Sequence, residues 1–241
     1  MHKKTGIHII CVFFTLMLCS VQLLAQDDDG GGGRVEQRNL PFTFRFDGGL
    51  GNLLRPMAMR SNFYSVGDIN GGVHFGIARG LNVGLNMRYT GFQVRQGASN
   101  VIDTVINGLI NSVRTIYNAY TPGMTISYDK WVGQKSFFSF HVNTGYSFVN
   151  YTKIRNAFKG NPDDAKYRAL LIEPAVHYVL FFQDRVAFNM KVSYNWTNGW
   201  FRPETVGLDK GVLPYVSSDL KGNIHFISFG FGFLYSLKRV E

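Results

Sequence analysis

The feature that most constrains this chain is an alternation of period two, recurring in eight segments, with large apolar residues in one phase and small or polar residues in the other. Phe42, Phe44 and Phe46 alternate with Thr43, Arg45 and Asp47. Ile69, Val73, Phe75 and Ile77 alternate with Asn70, Gly72, His74 and Gly76, and Leu81, Val83, Leu85, Met87 and Tyr89 with Asn82, Gly84, Asn86 and Arg88. Tyr120, Met124, Ile126 and Tyr128 face Thr121, Gly123, Thr125 and Ser127, and Phe138, Phe140, Val142, Tyr146 and Phe148 face Ser139, His141, Asn143, Gly145 and Ser147. The last three segments set Leu170, Ile172, Val176, Tyr178 and Leu180 against Glu173, Ala175 and His177; Val186, Phe188, Met190, Val192, Tyr194 and Trp196 against Asn189, Lys191, Ser193 and Asn195; and Ile227, Phe229, Phe231, Phe233 and Tyr235 against Ser228, Gly230 and Gly232. Successive strand side chains point to opposite faces, so each segment reads as a strand with one greasy and one small-polar face.

Eight such strands make either a soluble, lipocalin-like barrel with the greasy face inside or a membrane barrel with it outside. The charged residues Arg45, Asp47, Arg88, Glu173 and Lys191 all fall in the small-polar phase; a Lys or Arg facing lipid at the midplane costs ~2 to 4 kcal/mol. Water would tolerate them equally, so glycine decides. Glycine weakens an exposed strand but makes room inside a narrow eight-stranded lumen, and Gly72, Gly76, Gly84, Gly123, Gly145, Gly230 and Gly232 share the charged phase. This sorting explains 27 Gly beside 21 Phe and 12 Tyr in 241 residues. With 45% hydrophobic and 17% charged residues the chain is not disordered. Beyond the N-terminus no apolar run approaches the ~18 to 20 residues of a membrane-spanning helix.

The connections add an independent signal. Tight turns are expected at 78–80, where Gly80 suits a left-handed conformation, at 130–135 and at 183–185, while long connections cover roughly 52–67, 95–119, 151–167 and 198–222. Short and long connections therefore alternate, as in outer-membrane barrels with short periplasmic turns and long external loops. The chain resembles the small eight-stranded outer-membrane barrel family that includes the transmembrane domain of outer membrane protein A. The resemblance is architectural, covers about residues 40–237 and carries no diagnostic motif. It implies an all-β, eight-stranded antiparallel up-and-down transmembrane barrel in the outer membrane of a Gram-negative bacterium, with both termini periplasmic. It further implies contact with outer-membrane lipid and lipopolysaccharide, and with the barrel-assembly machinery during biogenesis. Such barrels commonly end in an aromatic residue; here Phe233 and Tyr235 are followed by Lys238, Arg239, Val240 and Glu241, and the resemblance is not expected to extend to a peptidoglycan-binding role.

Residues 1–25 read as a signal peptide: His2, Lys3 and Lys4 form a basic start, residues 7–18 are mostly apolar, and Ala25 precedes the expected cut. A lipoprotein reading at Cys19 is disfavoured by Leu18 before it. Both cysteines, Cys11 and Cys19, lie in the removed segment, so the mature barrel has no disulfide. Residues 26–39, with Asp27 to Asp29 and Gly30 to Gly33, read as a flexible tether rather than a calcium loop, since no Asp-x-Asp-x-Asp-Gly spacing follows. The barrel domain is placed at 40–241. Losing Lys3 and Lys4 takes the formal charge from +9 to +7. The remaining cations are scattered instead of forming a stripe, which argues against nucleic acid; Lys153, Arg155, Lys159, Lys166 and Arg168 gather about the third external loop, diluted by Asp163 and Asp164.

One segment has a different period. Ile102, Val105, Ile106, Leu109, Ile110, Val113, Ile116 and Tyr117 recur at three and four residues, with Asn100 as N-cap and Asp103 in the first turn, so the second external loop is expected to hold an amphipathic interaction helix. The competing reading is a hairpin about Asn107-Gly108, whose faces would mix Ile106 and Leu109 with Thr104 and Asn111. For the lumen we expect a polar network of Arg45, Asp47, His74, Arg88, His141, Glu173, His177 and Lys191. If the 183–185 turn sets Phe182 opposite Val186, His177 faces Lys191, Glu173 faces Asn195, and Glu173 offsets Lys191 diagonally. No metal-ligand spacing ties the histidines together, and no metal or cofactor is expected. A lipid-modifying enzyme would need a nucleophile at the outer leaflet, and His225 with Ser217 and Ser218 offers no His-x-Ser pair. The reading is a non-enzymatic surface barrel, structural, adhesive or partner-binding through its external loops, with a plugged lumen. The alternatives are a barrel component of an envelope secretion or gliding assembly, with an envelope protein partner, a lipid-modifying enzyme, a small channel and a soluble carrier.

Overall fold

The computed structural model describes residues 37–94, 104–106, 109–111, 113–155, 165–201 and 222–240. The expected signal peptide, the tether up to residue 36, Asn100, Ile102, Lys159, Ser217 and Ser218 lie outside the described residues. The elements are β1 (Phe42–Arg55), α1 (Met57–Asn62), β2 (Phe63–Ala78), β3 (Leu81–Val94), β4 (Thr104–Ile106), β5 (Leu109–Asn111), β6 (Val113–Trp131), β7 (Ser136–Arg155), β8 (Ala165–Phe181), β9 (Val186–Phe201) and β10 (Gly222–Ser236). Eight of the strands close on themselves in the order β1-β10-β9-β8-β7-β6-β3-β2, each antiparallel to its neighbours. Closure matters because a bilayer offers no water to satisfy the backbone groups of a free sheet edge.

The two phases of the alternation become the two sides of the wall. Phe231 and Met124 are each 61% exposed, whereas Arg88 and Lys191 are each 2% exposed. Outward apolar positions span residues 81–89 on β3, 120–128 on β6 and 227–235 on β10, about the 9 to 11 residues that a tilted strand needs to cross hydrocarbon. Around the tight turn after β2, Gly80 has φ +76°, a conformation that glycine reaches without steric cost.

The strands run further than the alternation implied, and two expectations are corrected. First, β1 continues to Arg55 and β2 begins at Phe63, so only residues 56–62 connect them, containing α1. Ala58 and Met59 of this helix are fully buried, and Asn62 Nδ2 donates to Ala58 O at 2.8 Å. Second, the loop helix expected from Ile102, Val105, Ile106, Leu109, Ile110, Val113 and Ile116 is not formed by its described residues. β4 and β5 pair as a two-stranded ribbon with Val105 opposite Ile110 and Ile106 opposite Leu109, while Val113 and Ile116 belong to β6. Physically, Thr104, Val105, Ile106 and Ile110 are β-branched, and their preference for extended backbone outweighs the helical spacing of the apolar residues.

The closing seam between β1 and β10 depends on missing side chains. A Cβ on Gly232 would lie 2.0 Å from the Phe46 carbonyl oxygen and 2.6 Å from Asp47 Cα, and one on Gly49 would lie 2.2 Å from Phe229 O. Backbone in a closed barrel cannot yield by that much. Gly232→Leu is therefore expected to abolish closure, seen as loss of the heat-modifiable, fast-migrating band on a gel; a retained folded band would show that the seam can widen.

Candidate functional site: a charged lumen closed at both ends

The inward positions gather Arg45 and Asp47 from β1, Asp68 from β2, Arg88 from β3, Asp129 from β6, Glu173 from β8 and Lys191 from β9, all buried. Lys191 Nζ lies 2.9 Å from Asp47 Oδ1 and 2.8 Å from Glu173 Oε1. Arg88 Nη1 lies 2.8 Å from Glu173 Oε2, while its Nε and Nη2 donate to the two oxygens of Asp68 at 2.6 and 2.5 Å. The result is an alternating chain across the barrel, Asp47, Lys191, Glu173, Arg88, Asp68. Neutral donors fill remaining lone pairs: Asn143 Nδ2 donates to Glu173 at 2.8 Å, Asn70 Nδ2 to Asp47 at 3.2 Å and Ser228 Oγ to Asp68 at 2.5 Å, and Arg88 also donates to Asn195.

A second group sits nearer the short turns. Arg45 Nη2 donates to both oxygens of Asp129 at 3.2 and 3.1 Å, and its Nη1 donates to Ser139 Oγ at 2.9 Å and His141 Nε2 at 2.6 Å. Asn82 Nδ2 and Ser139 Oγ also donate to Asp129. His74, His141 and His177 form a row with ring centroids 5.7 and 4.2 Å apart. Arg45 already occupies the Nε2 lone pair of His141 that a metal would need, and among the described residues no cluster has a metal-binding arrangement.

Above and below this polar layer the inward positions turn apolar. Toward the long connections Leu53, Phe63, Phe92, Tyr117, Tyr151, Phe201 and Phe226 pack together with Met59 of α1. Phe92 stacks edge-on against Phe226 at 5.2 Å, and Tyr117 against Tyr151 at 5.2 Å. Toward the short turns Trp131, Phe137, Val179, Phe181 and Leu234 pack with Leu40 and Val240, the latter tied by its backbone N–H to Asp184 O at 2.7 Å. Trp131 Nε1 donates to Arg38 O at 3.1 Å, and the Arg38 guanidinium lies over the Trp131 ring. Charges are thus held between two apolar seals.

All eight residues expected in the lumen face inward, and His177 stands directly opposite Lys191. Arg45, Asp47, Arg88, His141, Glu173 and Lys191 enter the two bonded groups, while His74 and His177 only flank His141. Sequence reasoning missed Asp68 and Asp129, which carry half the negative charge. The signal is present in the chain: Asp68 continues the phase of Asn70 and Gly72, and Asp129 that of Thr125 and Ser127, one step beyond the clearest alternation. It missed both seals because the apolar phase inverts near the strand ends; on β6, Tyr120, Met124 and Ile126 face out, but Tyr117 and Trp131 face in. His225, the outer-leaflet candidate for lipid chemistry, meets Tyr194 Oη at 2.5 Å through Nδ1.

No protein-family model matches the chain, and no curated protein matches it in sequence. Among solved structures it is similar to Neisserial surface protein A, with 11% identity over 82% of this chain and 97% of that one and a TM-score of 0.49. It is also similar to a major outer membrane protein from Thermus thermophilus, with 10% identity over 80% and 99% and a TM-score of 0.46. A third likeness is to the outer membrane protein OprG from Pseudomonas aeruginosa, with 12% identity over 85% and 100% and a TM-score of 0.44. The class is read from the chain's own geometry: a closed eight-stranded antiparallel barrel with an apolar outer belt and a charged, hydrogen-bonded interior is a transmembrane β-barrel.

Removing one partner of a buried pair strands the other charge, at a cost of ~3 to 5 kcal/mol, whereas replacing both with apolar residues is often near neutral. Glu173→Gln removes one carboxylate oxygen from Lys191 and one from Arg88 while Asp47 and Asp68 still pair with them, so the urea midpoint of unfolding in lipid vesicles should fall, by less than a fully stranded charge would cost. The double variant Glu173→Gln with Lys191→Met should fall further, because Asp47 then loses the cation it pairs with across the barrel. Equal midpoints for wild type and Glu173→Gln would mean that the ion-pair chain contributes little.

Proposed function

We propose that this chain is a non-enzymatic barrel of the outer membrane of a Gram-negative bacterium, acting as a structural or surface-interaction protein through its external loops and not through its lumen. The observation that supports this reading is the closed interior: a paired-charge layer between an aromatic seal on the long-connection side and a second seal on the short-turn side. A conducting pore needs a continuous wet path, and a ligand carrier needs an enclosed cavity; the packed seals oppose the first and the cross-barrel ion pairs fill the space for the second. In this reading the short turns and both ends of the barrel domain face the periplasm. The partners are outer-membrane lipid with lipopolysaccharide, the assembly machinery during insertion, and an adhesive or envelope protein contact made by the loops.

Planar-bilayer recording tests the proposal. Purified barrel is expected to insert without unitary currents, while the pair Phe92→Ala with Phe226→Ala, which thins the outer seal, still leaves the ion-pair layer blocking. Sustained ion steps from the wild-type protein would overturn the reading.

A further inference from the structure

The lipid-facing side of the wall carries a polar cluster where its apolar belt ends on β1, β10 and β9. On β10 the outward run Phe233, Phe231, Phe229, Ile227 stops at His225; on β9 Met190 and Val192 give way to Tyr194 and Trp196; and on β1 Leu50 is followed by Asn52 and, past a bulge, Arg55. Arg55 and Trp196 stand directly opposite His225 on its two sides, so all three share the outer face. Tyr194 Oη lies 2.5 Å from His225 Nδ1, with the two rings 5.9 Å apart. Whichever way that bond runs, one donor is left over: the imidazole Nε2–H if the phenol donates, or the phenol O–H if the ring does.

Charge is unbalanced here. Arg55 is exposed, and it is the charged group acting on both Tyr194 and His225. The ion pairs Arg45–Asp129, Arg88–Asp68, Arg88–Glu173, Lys191–Asp47 and Lys191–Glu173 all lie in the lumen, and none of them includes Arg55. A guanidinium, an azole or phenol donor and an indole N–H, with no carboxylate paired to them, complement an oxyanion, and the planar guanidinium fork matches phosphate oxygens in particular. The setting selects the source. Trp and Tyr mark the level of the headgroups in a membrane barrel, and the anion found at that level is the phosphate of a lipid.

We propose that Arg55, His225 and Tyr194, flanked by Trp196, form a binding site for a lipid headgroup phosphate on the outer wall of the barrel, at the boundary nearest the long connections. The site needs the barrel to stand in a bilayer and is independent of what the loops bind. It anchors the β1–β10–β9 sector, which includes the seam where the barrel closes.

The test uses the full chain refolded in zwitterionic micelles, with the His225 imidazole followed by nuclear magnetic resonance during titration with dihexanoyl phosphatidylglycerol, with dihexanoyl glycerol lacking the phosphate, and with inorganic phosphate. A saturable shift with phosphatidylglycerol alone is expected, weakened about tenfold in Arg55→Ala by loss of a charge-assisted contact and unchanged in Arg60→Ala, which removes an exposed arginine of α1. Should Arg55→Ala fail to give a heat-modifiable band, Tyr194→Phe, which deletes only a hydroxyl, carries the same comparison. Equal saturation by inorganic phosphate would overturn the lipid assignment in favour of a free anion. Absence of any saturable shift, or equal affinity in wild type and Arg55→Ala, would overturn the site itself, while leaving the closed lumen to be judged by conductance.

Discussion

The constraint on which the rest depends is that backbone N–H and C=O groups have no partner in hydrocarbon except one another. A sheet that meets this condition must close, and closing eight strands leaves an interior only wide enough for side chains. Both consequences are written into the chain. The greasy phase has to face out because lipid surrounds the wall, and the other phase has to mix glycine with longer polar groups because the bore is narrow. Gly49, Gly230 and Gly232 take no space, and the room they leave is used by Asp68, Lys191 and Asp47 on neighbouring strands.

Charges placed in so narrow a bore have no bulk water to fall back on, and they are answered from across the barrel rather than from the next residue. Arg88 on β3 reaches β2 and β8, Lys191 on β9 reaches β1 and β8, and Arg45 on β1 reaches β6 and β7. Most of these are struts, joining strands that the backbone ladder does not join directly. The aromatic seals above and below raise the strength of such pairs by keeping water away from them.

The architecture is largely legible in the sequence because period-two alternation is a local property, and the eight lumen residues can be assigned by phase alone. What is not legible follows from where that property changes. Near the strand ends the inward side becomes apolar, as at Phe92, Tyr117 and Trp131, so a search for one fixed greasy phase stops too early and discards Asp68 and Asp129 with the loop. The ribbon of β4 and β5 reads as a helix because Ile and Val at three- and four-residue spacing fit both forms, and only the preference of β-branched residues for extended backbone separates the two. Which carboxylate meets which cation can be reached only where two strands share a tight turn, as with Glu173 and Lys191; the contacts of Arg88 with Glu173 and of Arg45 with Asp129 cross the bore, and phase says nothing about distance across it.

The seam between β1 and β10 joins the first and last strands of the wall, and its glycines offer little side-chain interlock to fix alignment. Alignment has to be read from elsewhere. Sliding β1 by a single residue would turn Arg45 and Asp47 into the hydrocarbon and pull Phe44 and Phe46 inside, with the misplaced arginine alone costing ~2 to 4 kcal/mol near the midplane. Sliding it by two would keep the faces but uncouple Asp47 from Lys191 and Arg45 from Asp129. The buried charges therefore penalise misaligned pairings of the first and last strands, including the two-residue slip that the hydrophobic belt by itself would accept.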